Sequence, residues 1–115
     1  MRFKLILSSV KPDITDSIVD AAKEAGATGA TIIPARGTGM KEAKSFFGLS
    51  LEAQTDIILF LIEEHLVDKI LDTIKETGEF HKPGTGIAFV LPVEQVVGLE
   101  GQIERFKEEV RESYF

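Results

Sequence analysis

The chain has no cysteine, which excludes a disulfide framework and a thiolate metal site. It also has no run near the roughly 18 apolar residues that a membrane-spanning helix needs. Cations are scarce, with 13 Lys and Arg against 19 Asp and Glu and a net charge of -6. Nucleic acid binding requires clustered cations, so the acidic balance argues against that partner, although it leaves room for one local cationic pocket.

The apolar start of the chain, residues 3–7, is too short for a secretory signal, and Lys11 and Asp13 follow it closely. We therefore expect a strand there and a soluble, cytoplasmic protein. A chain of 115 residues is long enough to bury its own core as one domain.

Strand-like and helix-like segments alternate along the whole chain. Hydrophobic periodicity predicts strands at 3–9, 30–36, 56–62 and 87–91, helices at 13–25, 64–77 and 102–113, and a short extended piece at 95–99. Gly26 and Gly78 stand where the first two helices should end. The order is that of an α+β, ferredoxin-like βαββαβ sandwich with an antiparallel sheet, plus a C-terminal helix, in a single domain 1–115.

The third and fourth strands are apolar without a break, at residues 57–62 and 87–91. An antiparallel sheet with one face in water should alternate apolar and polar residues. The sheet face away from the helices must therefore be covered, and self-association is the favoured explanation. The alternative is that the C-terminal helix folds back over this face, although its single apolar stripe is narrow.

Two glycine-rich turns carry neighbouring cations. The first glycine turn (residues 35–39) follows the second strand, and the second glycine turn (residues 81–86) leads into the fourth. Glycine lets backbone N–H groups approach an anion, and the nearby cations and hydroxyls can bind phosphate or ribose oxygens. The candidate ligand residues in these turns are Arg36, Gly37, Thr38, Gly39, His81, Lys82, Gly84, Thr85 and Gly86.

These turns belong to a wider pattern that resembles the P-II nitrogen-regulatory signalling family. The matching stretches are residues 28–31, 36–39, 66–68, 71–74, 82–86 and 89–90. The resemblance extends from the first strand to about Leu99.

The resemblance implies a homotrimer of ferredoxin-like subunits that binds adenine nucleotides in clefts between subunits. It implies that Thr31 and Gly37 lie at the adenine and phosphate side, that the second glycine turn faces phosphate, and that Leu61 adds an apolar contact. It also implies a mobile loop at about residues 40–54 that docks onto a membrane transporter or an enzyme. The loop residues expected to meet the partner are Lys41, Lys44, Phe46 and Phe47, and the phenylalanine pair fits a packing anchor equally well.

Several family positions are changed in this chain. Ile87, Gly98 and Glu100 stand where the family has cations of the triphosphate site, and Lys41 replaces the glutamine that opens the mobile loop. Each lost cation removes charge-assisted hydrogen bonds. We therefore expect weak or absent ATP binding and a ligand of lower charge, such as AMP, ADP, a cyclic nucleotide or another small anion.

Two alternatives to a sensor remain open. One is a small enzyme that uses the same cleft, for which His81 is the reasonable titratable residue, and the other is a purely structural oligomer. No Ser-His-Asp arrangement or metal-ligand spacing supports catalysis, so the expectation is a non-enzymatic protein without a resident metal.

Overall fold

The computed structural model of this chain describes residues 2–37, 45–46, 49–50 and 53–99. The strands are β1 (Phe3–Val10), β2 (Thr31–Gly37), β3 (Ser45–Phe46), β4 (Leu49–Ser50), β5 (Ala53–Glu63) and β6 (Gly86–Pro92), and the helices are α1 (Thr15–Glu24) and α2 (Val67–Thr77). The main sheet has the order β2-β5-β1-β6 with every pair antiparallel, and β3 pairs with β4 as a separate two-stranded ribbon. This is the βαββαβ topology that the sequence predicts.

The core lies between one face of the sheet and the two helices. In β5 alternate residues are buried, and Phe60 is completely inaccessible to solvent. The helices contribute residues spaced four apart, such as Ile70 and Ile74 in α2, because that spacing brings side chains to one face of a helix. The buried apolar residues are Ile6, Val10, Ile18, Val19, Ala22, Ala25, Ala27, Ile58, Phe60, Ile62, Val67, Ile70 and Ile74.

The helices begin and end differently from the simplest expectation. Each opens with a 3-10 turn, Pro12–Ile14 before α1 and Glu64–Leu66 before α2. Gly26 follows α1 with φ 124°, a positive value that suits glycine. Gly78 at the end of α2 has φ -82°, so it is not left-handed. The residue with left-handed backbone is its neighbour Glu79, at φ 52°.

Most strand boundaries agree with the sequence within one or two residues. The exception is β5, which begins at Ala53, so it includes residues that the sequence assigned to the loop 40–54. The extended piece expected at 95–99 belongs to no strand. The helix expected at 102–113 lies outside the described residues. In the part of the chain that is described, no helix is long and apolar enough to cross a membrane.

A buried hydroxyl connects the start of α1 to β5. Thr15 is 4% exposed, and its Oγ1 donates to Asp56 Oδ2 at 2.6 Å. Thr15→Val keeps the shape of the side chain but leaves the half-buried carboxylate without this donor. We expect a loss of about 1.5–3 kcal/mol in the free energy of unfolding, the range for hydrogen bonds to charged groups.

Thr73→Val is the matched control, because the Thr73 hydroxyl bonds only the carbonyl of Lys69 within its own helix, in an exposed setting. Urea denaturation of the two variants compares them directly. Equal losses would show that the Thr15–Asp56 bond adds nothing to stability.

Candidate ligand-binding turns and the open sheet face

The sheet face opposite the helices, here called the open face, is apolar from edge to edge. The register places Leu7 between Leu59 and Phe89. Side chains on this face remain accessible to solvent in the described part of the chain. Phe89 is 41% exposed, and Ile87, two residues before it in β6, is 60% exposed. The other members of the face include Leu5, Ile33, Ile57, Leu61 and Leu91. A surface this apolar is unusual on a monomer that stays alone in water.

Gly37, the last described residue of the first glycine turn, and the second glycine turn lie at the same end of the sheet but at opposite edges. Val10, the last residue of β1, is paired with Asp56 on one side and Gly86 on the other. Gly37 is paired with Ala53 at the same end. Because β5 and β1 separate the two edges, β2 and β6 are about 14 Å apart within one chain, or three strand spacings. The strands next to the two turns, β2 and β6, are the edge strands of the sheet.

The second glycine turn is held in shape by hydrogen bonds of its own. The N–H of Lys82 donates to the carbonyl of Glu79 at 2.9 Å. The hydroxyl of Thr85 lies 3.0 Å from the carbonyl oxygens of both Glu79 and Lys82. A carbonyl only accepts, so the hydroxyl proton is directed into the turn. In this conformation Thr85 can accept a bond from a ribose hydroxyl but has no proton left for a phosphate.

The ring of Phe80 explains two glycines that flank this turn. A Cβ on Gly78 would lie 2.3 Å from Phe80 Cε1, and a Cβ on Gly86 would lie 2.8 Å from the same atom and 2.8 Å from the carbonyl oxygen of Ser9. Real Cβ atoms do not approach other atoms so closely. The absence of a side chain at Gly86 therefore has a packing reason that is independent of any ligand.

Gly84 has the opposite surroundings. Its φ is 78°, and a Cβ built there would meet no atom of the described residues within 4 Å. Within the described residues its N–H donates to no carbonyl or side chain. An available N–H on a left-handed residue in open space is a feature of backbone anion-binding sites. Of the glycines in this turn, Gly84 is therefore the one whose geometry fits a ligand contact.

The cation of the second turn is already engaged. Lys82 Nζ lies 3.2 Å from Glu79 Oε1, and both side chains are more than half exposed. His81 beside it is exposed as well. An anion entering this turn meets an ammonium group that is paired with a carboxylate.

The residues predicted around β2 fall into two groups. Gly37 and the exposed Arg36 lie at the end shared with the second glycine turn. Thr31 lies at the other end of β2, opposite Leu59 on the open face, and Leu61 is its diagonal neighbour on that face. Phe46 lies in β3. Thr38, Gly39, Lys41, Lys44 and Phe47 lie outside the described residues.

The structure also shows a groove that sequence reasoning missed. It has a volume of about 410 Å³ and is open to solvent, and its lining consists of Pro12, Pro34, Ala35, Arg36, Gln54, Thr55 and Asp56. Three separate segments meet there, so no local motif could have indicated it. Thr55 anchors this corner, since its hydroxyl lies 2.9 Å from both Ser9 Oγ and the carbonyl oxygen of Val10.

Comparison with known proteins gives one consistent result. The profile of a family described as "Nitrogen regulatory protein P-II" matches residues 3–102. Nitrogen regulatory protein P-II of Azospirillum brasilense is 29% identical over 99 residues, which cover 82% of this chain and 88% of the relative. Nitrogen regulatory protein P-II 1 of Escherichia coli (strain K12) shows the same identity and the same coverage. The matched region includes β1, β2, β5, β6, both helices and both glycine turns.

Proposed function

Because this chain belongs to the nitrogen regulatory protein P-II family, we propose that it is a cytoplasmic regulatory protein that binds an adenine nucleotide of low charge between its own subunits. The observation that carries this proposal is the placement of the two glycine turns. They share one end of the sheet but sit on opposite edges. A small anion can contact both only if one turn comes from a second copy.

The open face supports an assembly of copies, which the family resemblance makes a homotrimer. Leu7 and Leu59 are half-buried in the subunit, and Phe89 is 41% exposed. Burying an apolar side chain completely gains on the order of 1.5–3 kcal/mol, so covering the part of each that is still exposed gains roughly half of that or less, and the sum over the open face favours self-association. In the proposed assembly an edge strand of one subunit lies close to an edge strand of the next, so that one ligand can contact both.

The proposed preference for AMP or ADP over ATP follows from the absence of cations that the family has at the triphosphate site. Ile87, directly after the second glycine turn, is 60% exposed and provides no cation. Gly98 also stands at a position where the family has an arginine. Each cation removed from a phosphate site forfeits bonds worth about 1.5–3 kcal/mol, so every added phosphate contributes less here.

Regulation of a partner is the second part of the proposal. Residues 40–52 lie between the first glycine turn and β5, so a ligand bound at that turn would be next to the segment that we propose to dock onto a membrane transporter or an enzyme. Ligand binding that orders this segment would change its contact with the partner, which is an order–disorder mechanism. The proposal requires no catalytic step.

The test is a binding panel of AMP, ADP, ATP, cyclic AMP and inorganic phosphate, measured by thermal shift and calorimetry. A ligand that binds only the folded protein raises the melting temperature by mass action. We expect Lys82→Ala to weaken nucleotide binding by roughly 10- to 150-fold, because a charge-assisted bond of roughly 1.5–3 kcal/mol is lost. Lys23→Ala, an exposed lysine on α1, is the control of equal charge change.

Two results would count against this function. One is the absence of any melting-temperature increase across the whole panel. The other is nucleotide turnover that His81→Ala abolishes, since that outcome would identify an enzyme in place of a sensor.

A further inference from the structure

Glu79 occupies a backbone conformation that its residue type avoids. Among the residues that the structure describes, it is the one non-glycine with a positive φ, at 52°. Glycine would be the ordinary choice for the left-handed position after a helix. A glycine is available next door, but the ring of Phe80 lies so close to Gly78 that no side chain fits there. The left-handed conformation is therefore adopted by Glu79, which has a long charged side chain.

Strained positions that persist in a fold often mark a functional contact. The main chain at Glu79 is fixed on both sides, because its N–H donates to Glu76 and its carbonyl accepts from the Lys82 N–H. Its carboxylate lies 3.2 Å from Lys82 Nζ. The left-handed backbone at Glu79 thus accompanies a direct ion pair between the Glu79 carboxylate and the ammonium group of Lys82.

We propose that Glu79 is a specificity-determining residue, an internal carboxylate that competes with the ligand for Lys82. This inference rests on the proposed function, since it concerns the same anion site. An incoming anion must displace the carboxylate or bind beside it. Repulsion by a fixed negative charge grows with the charge of the ligand, so Glu79 favours anions of lower charge.

Two features of the chain agree with the proposal that Glu79 favours anions of lower charge. The pair is exposed, so a ligand can reach Lys82 and exchange with the carboxylate. Gly84, two residues further, offers a backbone N–H that is uncharged and binds an anion oxygen whatever the total charge of the ligand. The turn thus combines a neutral donor with a cation whose charge is offset.

The experiment compares Glu79→Gln with Glu76→Gln. Glu76 is an exposed acid on α2, three residues away, so both variants lose one negative charge but only the first releases Lys82. The probes are AMP and ATP, measured by calorimetry, with the Gly84 amide followed by nuclear magnetic resonance. We expect Glu79→Gln to bind AMP roughly two- to fivefold more tightly than Glu76→Gln does, which is the range for an exposed ion pair. The gain for ATP should be larger.

A second variant tests whether a change in backbone stability at residue 79 alters the measured affinity. Glu79→Gly removes the carboxylate and also relieves the left-handed conformation, so it should gain affinity together with stability. Adding Lys82→Ala to either variant should reduce the gain, because the carboxylate then has no cation to compete for and acts on the ligand through repulsion alone.

The outcomes separate the inference from the function on which it rests. If the wild type binds AMP and Lys82→Ala weakens that binding, but the two glutamine variants bind equally, the role of Glu79 is wrong and the sensor stands. If neither the wild type nor Glu79→Gln binds either nucleotide, both proposals fail. Binding that appears only in Glu79→Gln supports the competition.

Discussion

Phe89→Asp is expected to convert the proposed homotrimer into monomers while leaving the fold of each subunit intact. Phe89 lies on the open face opposite Leu7 and is 41% exposed in the single subunit. The same position would be buried once copies cover the face for one another. An unpaired carboxylate costs several kcal/mol when it is buried, and a trimer would bury three. We expect the mass measured by light scattering to fall to that of one chain.

Ile32→Asp is the matched control for this change. Ile32 is 43% exposed, but it lies on the helix side of the sheet, opposite the buried Ile58. Introducing the same charge there should leave the mass unchanged. If Phe89→Asp assembles like the wild type, the open face is not the interface. Loss of nucleotide binding in Phe89→Asp would further support the idea that the two glycine turns act from different copies.

Gly86→Ala is expected to produce a large loss of stability beside the proposed ligand site. The new Cβ would lie 2.8 Å from both the Ser9 carbonyl oxygen and Phe80 Cε1. The carbonyl belongs to β1 in the centre of the sheet, so it cannot move without disturbing the ladder. Overpacking of this kind costs about 1–3 kcal/mol, and we expect the upper end of that range by urea denaturation.

Gly37→Ala is the control, because a Cβ at Gly37 would meet no atom within 4 Å in the described part of the chain and the residue has no positive φ. The same added methyl group should change stability by less than about 0.5 kcal/mol there. Equal losses in the two variants would mean that the close approach at Gly86 is not a constraint on the fold.

Local patterns were enough to predict the order of the elements and the faces of the helices. Ile18 with Ala22, and Ile70 with Ile74, repeat at the helical period, and each pair is buried where that period places it. The unbroken apolar run in β5 correctly indicated a sheet with two apolar faces. Both patterns involve residues close to one another within a single helix or strand. They can therefore be recognised from the sequence without knowing which segments pack together.

The ligand site was predictable by residue type but not by arrangement. Arg36, Gly37 and Lys82 were identified from their glycine-rich surroundings, yet the chain order does not show that β2 and β6 are opposite edges of one sheet. Nor does it show that Lys82 is paired with Glu79, because that contact depends on a left-handed backbone at residue 79.

Composition and periodicity thus specify what the chain builds: two helices on one side of a sheet whose other side is too apolar for water. Folding in three dimensions specifies which glycines must remain glycines, since one of the two atoms nearest to a Cβ at Gly86 is the carbonyl oxygen of Ser9, far away in sequence. Periodicity is a property of adjacent residues, whereas close contact is a property of residues that meet only after the strands pair.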